Sequence, residues 1–218
     1  MDSPIPMHLA PKPSFRGWSH IVAFVAAITL CPILISSSDQ GRALAAFYSL
    51  AVVALFGVSS LYHGFSWSAR AHDLLRRLDH ATIFVTIAAT YSPISWFLLP
   101  RSAAVTVLLA VWIGALLGVL VMIFWPTAPQ VTLIILFIIV GWSALLVIHK
   151  FWTALSTYSF TLLLLGGAFH TIGAIVYGLK KPDPWPNVFG FHEIFHLCVI
   201  CGIASHYALI AFIALPAA

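Results

Sequence analysis

An all-α membrane protein with seven spanning helices is the fold class this sequence predicts, and three observations predict it. Of the 218 residues, 61% are hydrophobic and 7% charged, whereas an average soluble domain carries about 25% charged residues. The mean hydropathy of +1.03 leaves too little polar surface to cover a water-soluble fold. Seven apolar stretches follow one another, each near the ~20 residues that cross a hydrocarbon core. Trp18, Trp67, Trp125, Trp152 and Trp185 stand at stretch edges, as interfacial anchors do.

Residues 1–19 carry Pro4, Pro6, Pro11 and Pro13 with Lys12 and Arg16, and read as a mobile basic arm that includes His8. The first stretch, about 20–37, ends at Ser36-Ser37-Ser38 without an Ala-x-Ala-type cleavage site. It is read as a retained helix rather than a signal peptide. Further stretches lie at about 43–63, 80–99, 102–125, 130–148, 154–178 and 189–214, so 20–214 forms a single transmembrane domain. The uncharged run from Ser102 to His149 is too long for one helix, and Pro126 and Pro129 divide it. Gly114-x-x-x-Gly118 and Gly166-Gly167 read as close-packing sites between helices. Cys31, Cys198 and Cys201 lie inside apolar stretches and read as small, buried packing residues, not a disulfide framework.

In such a chain the net charge of +4 speaks of orientation and not of nucleic-acid binding. With the amino terminus inside, the cytoplasmic side receives Lys12, Arg16, Arg70, Arg76, Arg77, Lys180 and Lys181, and the outer side Arg42, Arg101 and Lys150. Seven against three follows the positive-inside bias and puts the carboxyl terminus outside. Arg70, Arg76 and Arg77 then touch anionic headgroups.

His192 and His196 stand one helical turn apart, so both imidazoles share a face. Parity brings Ser59-Ser-Leu-Tyr-His63 and Arg77-Leu-Asp79-His80 to the same membrane end. Ionisable groups inside a bilayer are expensive, and three helices placing them at one depth points to a shared site. Three imidazoles plus a water suit zinc, with His63, His192 and His196 as ligands. Such an ion lowers its water's pKa to about 7. Asp79 would hold that water and act as general base and later proton donor. Ser59, four residues before His63, would orient that histidine or polarise a substrate carbonyl.

Glu193 competes for the base role, because His192-Glu-x-x-His196 is the metalloprotease spacing. Asp79 ranks above it, since a Glu near a helix start also answers the macrodipole. Taken singly, each residue has a plainer reading: an interhelical hydrogen bond for the histidines, a helix cap for Asp79. His20 and His80 stand at the correct end for supporting roles, and His72 and His149 read as solvated loop residues. His170 reads as an interhelical hydrogen bonder. His206 lies roughly 21 Å along the helix from His192, out of reach. Cys198 and Cys201 point roughly 200° and 140° away from His196 and are poor partners for its metal.

The runs Ser59-Ser-Leu-Tyr-His63, Leu75-Arg-Arg-Leu-Asp79-His-Ala-Thr-Ile-Phe84 and Ala89-Thr-Tyr-Ser-Pro93 resemble the bacterial hemolysin III family. So do Gly173-Ala-Ile-Val-Tyr177 and Trp185-Pro-Asn-Val-Phe-Gly-Phe-His192-Glu-Ile-Phe-His196. That family belongs with the progestin and adiponectin receptor (PAQR) group of seven-helix, zinc-containing membrane proteins. The resemblance implies zinc on His63, His192 and His196, Asp79 on the metal's water, and Ser59 as the motif serine. It also implies an internal amino terminus, an external carboxyl terminus and a multi-pass protein of the bacterial inner membrane. Animal receptors carry a long amino-terminal domain, so hormone binding does not transfer.

Three functions follow from the resemblance. The first is zinc-dependent hydrolysis of a lipid amide or ester, with membrane lipids as partners and a ceramide-like or fatty-acyl substrate. The second is cytolysis, against which the lack of a cleavable signal speaks. The third is a non-catalytic protein of lipid or energy homeostasis, stapled by zinc. The last stretch, 189–214, carries no charge beyond Glu193, which argues against a charged ion path across the bundle. Substrate, oligomeric state and metal identity stay open.

Overall fold

The computed structural model describes residues 13–218; Lys12, His8 and most of the expected arm lie outside the described residues. It is an α-helical bundle in which seven segments are long and apolar enough to cross a membrane. They are α1 (Trp18–Ser36), α2 (Arg42–Gly64), α3 (Ala69–Leu98), α4 (Arg101–Phe124), the composite fifth span Gln130–Ala154, α7 (Thr157–Leu179), and the seventh span Phe191–Ala217. The fifth span joins α5 (Gln130–Gly141), a 3-10 turn (Ser143–Val147) and α6 (Ile148–Ala154). The seventh begins as α8 (Phe191–Leu209) and ends in a π turn and a 3-10 turn.

Sequence pattern accounts for how the helices face. On α4, Ala104, Val107, Val111 and Ala115 recur at helical spacing and are buried, while Leu109, Ile113 and Leu116 on the opposite face are more than half exposed. In water that outer face would be a liability; against acyl chains it is the favourable surface. Gly118 sits directly against the Phe84 ring of α3, and a Cβ on Gly114 would come within 2.7 Å of Val140. Both glycines of that pair are therefore close-packing positions. Cys31 is buried, but Cys201 faces outward, so the three cysteines are not one buried set.

Three elements depart from the apolar stretches that mark them. Helix α3 starts at Ala69, capped by Ser68, whose Oγ accepts from the Ala71 amide at 3.4 Å. Its 30 residues make about 45 Å of helix, longer than the ~30 Å hydrocarbon core. The charged turns from Arg70 to Arg77 therefore project beyond the apolar part, and Arg76 donates to the Pro126 carbonyl at 2.9 Å. His72 is accordingly buried on this helix, 3.4 Å from the Tyr62 hydroxyl, and is not a solvated loop residue.

The fifth span breaks at Gly141–Trp142. The Tyr91 hydroxyl bridges the break, donating to Gly141 O at 2.6 Å and accepting from Ala144 N at 3.0 Å. Backbone groups freed inside a membrane need such partners. Helix α8 starts after Gly190, whose amide donates to Glu193 Oε2 at 2.8 Å.

Two ends of the bundle are thereby defined. At one, Ser14 and Phe15 donate through their amides to Asn187 and Val188 carbonyls, both at 3.1 Å. At the other, Gly41 packs against Leu215 and Phe97.

Candidate metal centre

The carboxyl end of α2, the third turn of α3 and the first turns of α8 meet at the first of these ends. Each supplies one part of a polar cluster. His63 on α2 and His192 and His196 on α8 place one nitrogen each within 4.8 Å of one another. Their ring centroids are 4.7, 5.0 and 4.5 Å apart, and the rings are inclined at 73°, 61° and 66°. Nε2 of His63 and Nε2 of His192 are 3.3 Å apart. Two imidazoles held at 2.0–2.1 Å on a tetrahedral ion have nitrogens about 3.3–3.4 Å apart. An N–H···N bond between neutral rings has a similar length.

The donor chemistry fits an imidazole-preferring divalent ion. Burial fits too. His196 is 1% exposed, and its Nδ1 has no hydrogen-bond partner among the described residues. A buried polar atom left alone costs free energy unless a group from outside the protein satisfies it.

Asp79 Oδ2 lies 3.9 Å from His63 Nε2 and 3.9 Å from His80 Nδ1. Asp79 is the eleventh residue of α3, so it does not cap the helix, and the plain capping reading falls away. Ser59, one turn before His63, is within interaction range of that carboxylate. Its hydroxyl also lies 2.7 Å from Nδ1 of His20.

His20, from α1, lies at the end where sequence reading assigns it a supporting role. Its ring stacks on His196 at 3.7 Å and 13°, so four helices build the cluster. Together Asp79, Ser59 and His20 run as a polar chain beside the three imidazoles. His80 donates through Nδ1 to Arg76 O at 2.8 Å, which anchors its ring to its own helix.

Glu193 has both oxygens engaged. Arg16 donates through Nε to Oε1 at 2.6 Å, and the Gly190 amide donates to Oε2. The carboxylate caps α8 and pairs with Arg16, so the middle residue of His-Glu-x-x-His is structurally occupied. Sequence reading counted Arg16 only toward orientation. Gly17, next in the chain, has φ +83°, and a Cβ there would lie 2.8 Å from His63 Cβ. Glycine permits both the left-handed backbone and this close approach. Segment 13–17 therefore lies against the cluster.

Two further histidines stay apart. His170, midway along α7, and His206, in the last turn of α8, stack on each other at 5.7 Å and 12°.

A family model described as "Haemolysin-III related" matches residues 9–207. The chain belongs to that family. Within it, the chain is 30% identical over 202 residues to Hemolysin-3 of Bacillus cereus, covering 91% of this chain and 89% of that protein. It is 28% identical over 165 residues to the Hemolysin-3 homolog of Bacillus subtilis (strain 168), covering 76% and 74%. An Adiponectin receptor protein of Drosophila melanogaster is 26% identical over 239 aligned positions, covering 92% of this chain and 53% of that receptor. This haemolysin-III chain thus shares its helical domain with both the bacterial proteins and part of the animal receptor, as the PAQR resemblance implies.

Proposed function

We propose that this haemolysin-III relative is a zinc-dependent hydrolase of a lipid amide or ester, working near the cytoplasmic face of a bacterial inner membrane. One observation carries the reading. Three converging imidazoles with an adjacent buried carboxylate, on Asp79, lie directly beside an apolar cavity. Ile83, one turn after Asp79, and Val199, one turn after His196, line that cavity. An acyl chain can lie there while its polar linkage meets the cluster.

His63, His192 and His196 would hold the ion. A bound zinc supplies a Lewis acid and a water ionisable near neutral pH. Asp79 takes the proton of the attacking water and returns it to the leaving amine or alcohol. Ser59 and His20 hold Asp79 in place through the hydroxyl between them. Glu193 is already held by Arg16 on one oxygen and by the Gly190 amide on the other, which supports Asp79 for the base role. The count of basic residues supports the cytoplasmic placement.

The test is incubation of purified protein with ceramide-like lipids, with and without chelator. Metal-dependent fatty-acid release is expected; no release from any lipid tested at any pH overturns the reading. The names of the Bacillus relatives, Hemolysin-3 and its homolog, favour a second reading, membrane lysis. Dye leakage from liposomes that persists without His63, His192 and His196 would select it.

A further inference from the structure

Helices α7 and α8 carry the same five-residue pattern, Gly166-x-x-x-His170 and Gly202-x-x-x-His206. The two are used reciprocally. The His170 ring fills the notch at Gly202, and the His206 ring fills the notch at Gly166; a Cβ at either glycine would overlap the facing imidazole. The stacked pair lies about 15 Å along α8 from His196, ten residues on. It lines the far part of the apolar cavity, whose space for the centre of a water-sized sphere is about 90 Å³. That is several times the ~10–15 Å³ one water needs.

The hydrogen-bonding inventory of this cavity is one-sided. His170 Nδ1 lies 2.7 Å from Gly166 O and His206 Nε2 lies 3.2 Å from Leu163 O. A carbonyl only accepts, so both nitrogens carry the proton. In each neutral ring the other nitrogen is then an acceptor. Among the described residues neither Nε2 of His170 nor Nδ1 of His206 has a hydrogen-bond partner.

The other polar groups add no donor. Thr86 donates to Ala51 O, Thr90 to Thr86 O, and Tyr91 to Gly141 O. Trp142 donates to Thr171, whose hydroxyl donates to Gly167 O. Every side-chain donor on these walls is engaged, and two imidazole acceptors are open. A carboxylate or phosphate, which only accepts, finds no partner here and would be desolvated without compensation.

We propose that the far end of this same cavity, about 15 Å along α8 from His196, is a further binding position for an uncharged apolar molecule that carries a hydroxyl, whose O–H donates to the open imidazole nitrogen of His170 or of His206. Long-chain alcohols, including hydroxylated acyl chains, and polycyclic alcohols share that chemistry. The site does not depend on a metal, so its failure and the failure of the hydrolase reading are separable.

The experiment is a binding titration of the intact protein in nanodiscs with alcohol and methyl-ether pairs. An ether keeps the acceptor oxygen and loses the donor. One arm uses 1-hexadecanol and 1-methoxyhexadecane, the other cholestanol and its 3-methyl ether. In at least one arm the alcohol is expected to bind about five- to tenfold tighter than its ether, and that arm identifies the source. Chelator should leave the preference unchanged. His170→Phe with His206→Phe, which keeps ring volume and removes the acceptors, should bring the ratio to about one. Equal binding of alcohol and ether by wild-type protein in both arms overturns the proposal, as does a preference that survives both substitutions. The wild-type comparison decides even if the double variant does not fold, and each single substitution gives a milder second reading.

Discussion

Histidines gather in two places along α8, and the two places are built on opposite plans. At the polar end, rings from α2 and α8 stand inclined to one another with nitrogens converging, and α1 adds a fourth ring stacked behind them. Deeper in the bundle, two rings lie nearly parallel and each donates to a carbonyl of α7. Convergence leaves lone pairs aimed at a common point, which suits a cation. Parallel stacking with tied protons leaves one unprotonated nitrogen on each of two rings that line a cavity, which suits a donor from a guest. Residue type alone does not distinguish the two; the direction of each ring's engaged nitrogen does.

The comparison breaks most decisively at the metal. His192→Ala with His196→Ala should take bound metal from about one ion per chain to background, read by elemental assay of detergent-extracted protein. His170→Phe with His206→Phe should leave that ion in place. Equal metal content in both double variants would erase the distinction.

Asp79→Asn sharpens the polar end. It should keep the ion yet lower hydrolytic turnover a hundredfold or more, measured on whichever lipid proves to be cleaved. Unchanged turnover would reduce the cluster to a staple between helices.

Arg16→Met probes the contact between segment 13–17 and the last span. It leaves a carboxylate that is 1% exposed without its partner, and should cost about 2–3 kcal/mol in thermal unfolding. Glu193→Gln, which keeps an oxygen for the Gly190 amide, should cost less. If both were neutral, the ion pair would have no structural weight.

The smallest effect tests the deep pair through neighbouring glycines. Gly166→Ala should destabilise by about 1–3 kcal/mol, because the His206 ring occupies the space. Gly167→Ala, with its nearest neighbour at 3.9 Å, should stay within about 0.5 kcal/mol. Comparable losses would mean that imidazole seating is not what glycine provides there.

Much of the polar end was legible in the sequence for one reason: membrane parity is a strong geometric constraint. Once seven crossings are counted, His63 must share an end with His192, and the four-residue spacing puts His196 beside it. Arg16 and His20 were harder to place, because their roles depend on α1 docking against α8, and hydropathy carries no information about which spans touch. The start of α3 was hidden for a different reason. Arg70 to Arg77 depress the local hydropathy, although Ser68 is a good capping residue. In the fifth span an unbroken apolar run masked the interruption at Gly141–Trp142, which rests on a phenol from α3. The reciprocal glycine–histidine pattern was visible as letters, but only packing shows that each histidine belongs to the other helix's glycine.

Finally, the ion pair between Arg16 and Glu193 spans 177 positions of sequence, and His63 meets His192 across 129. Two of the three imidazoles belong to the seventh span, which leaves the ribosome after the other six. A nascent chain stalled anywhere before it therefore lacks the three-imidazole cluster. The cluster forms only once that span is inserted, and Arg16, just ahead of α1, gains its Glu193 partner at the same stage.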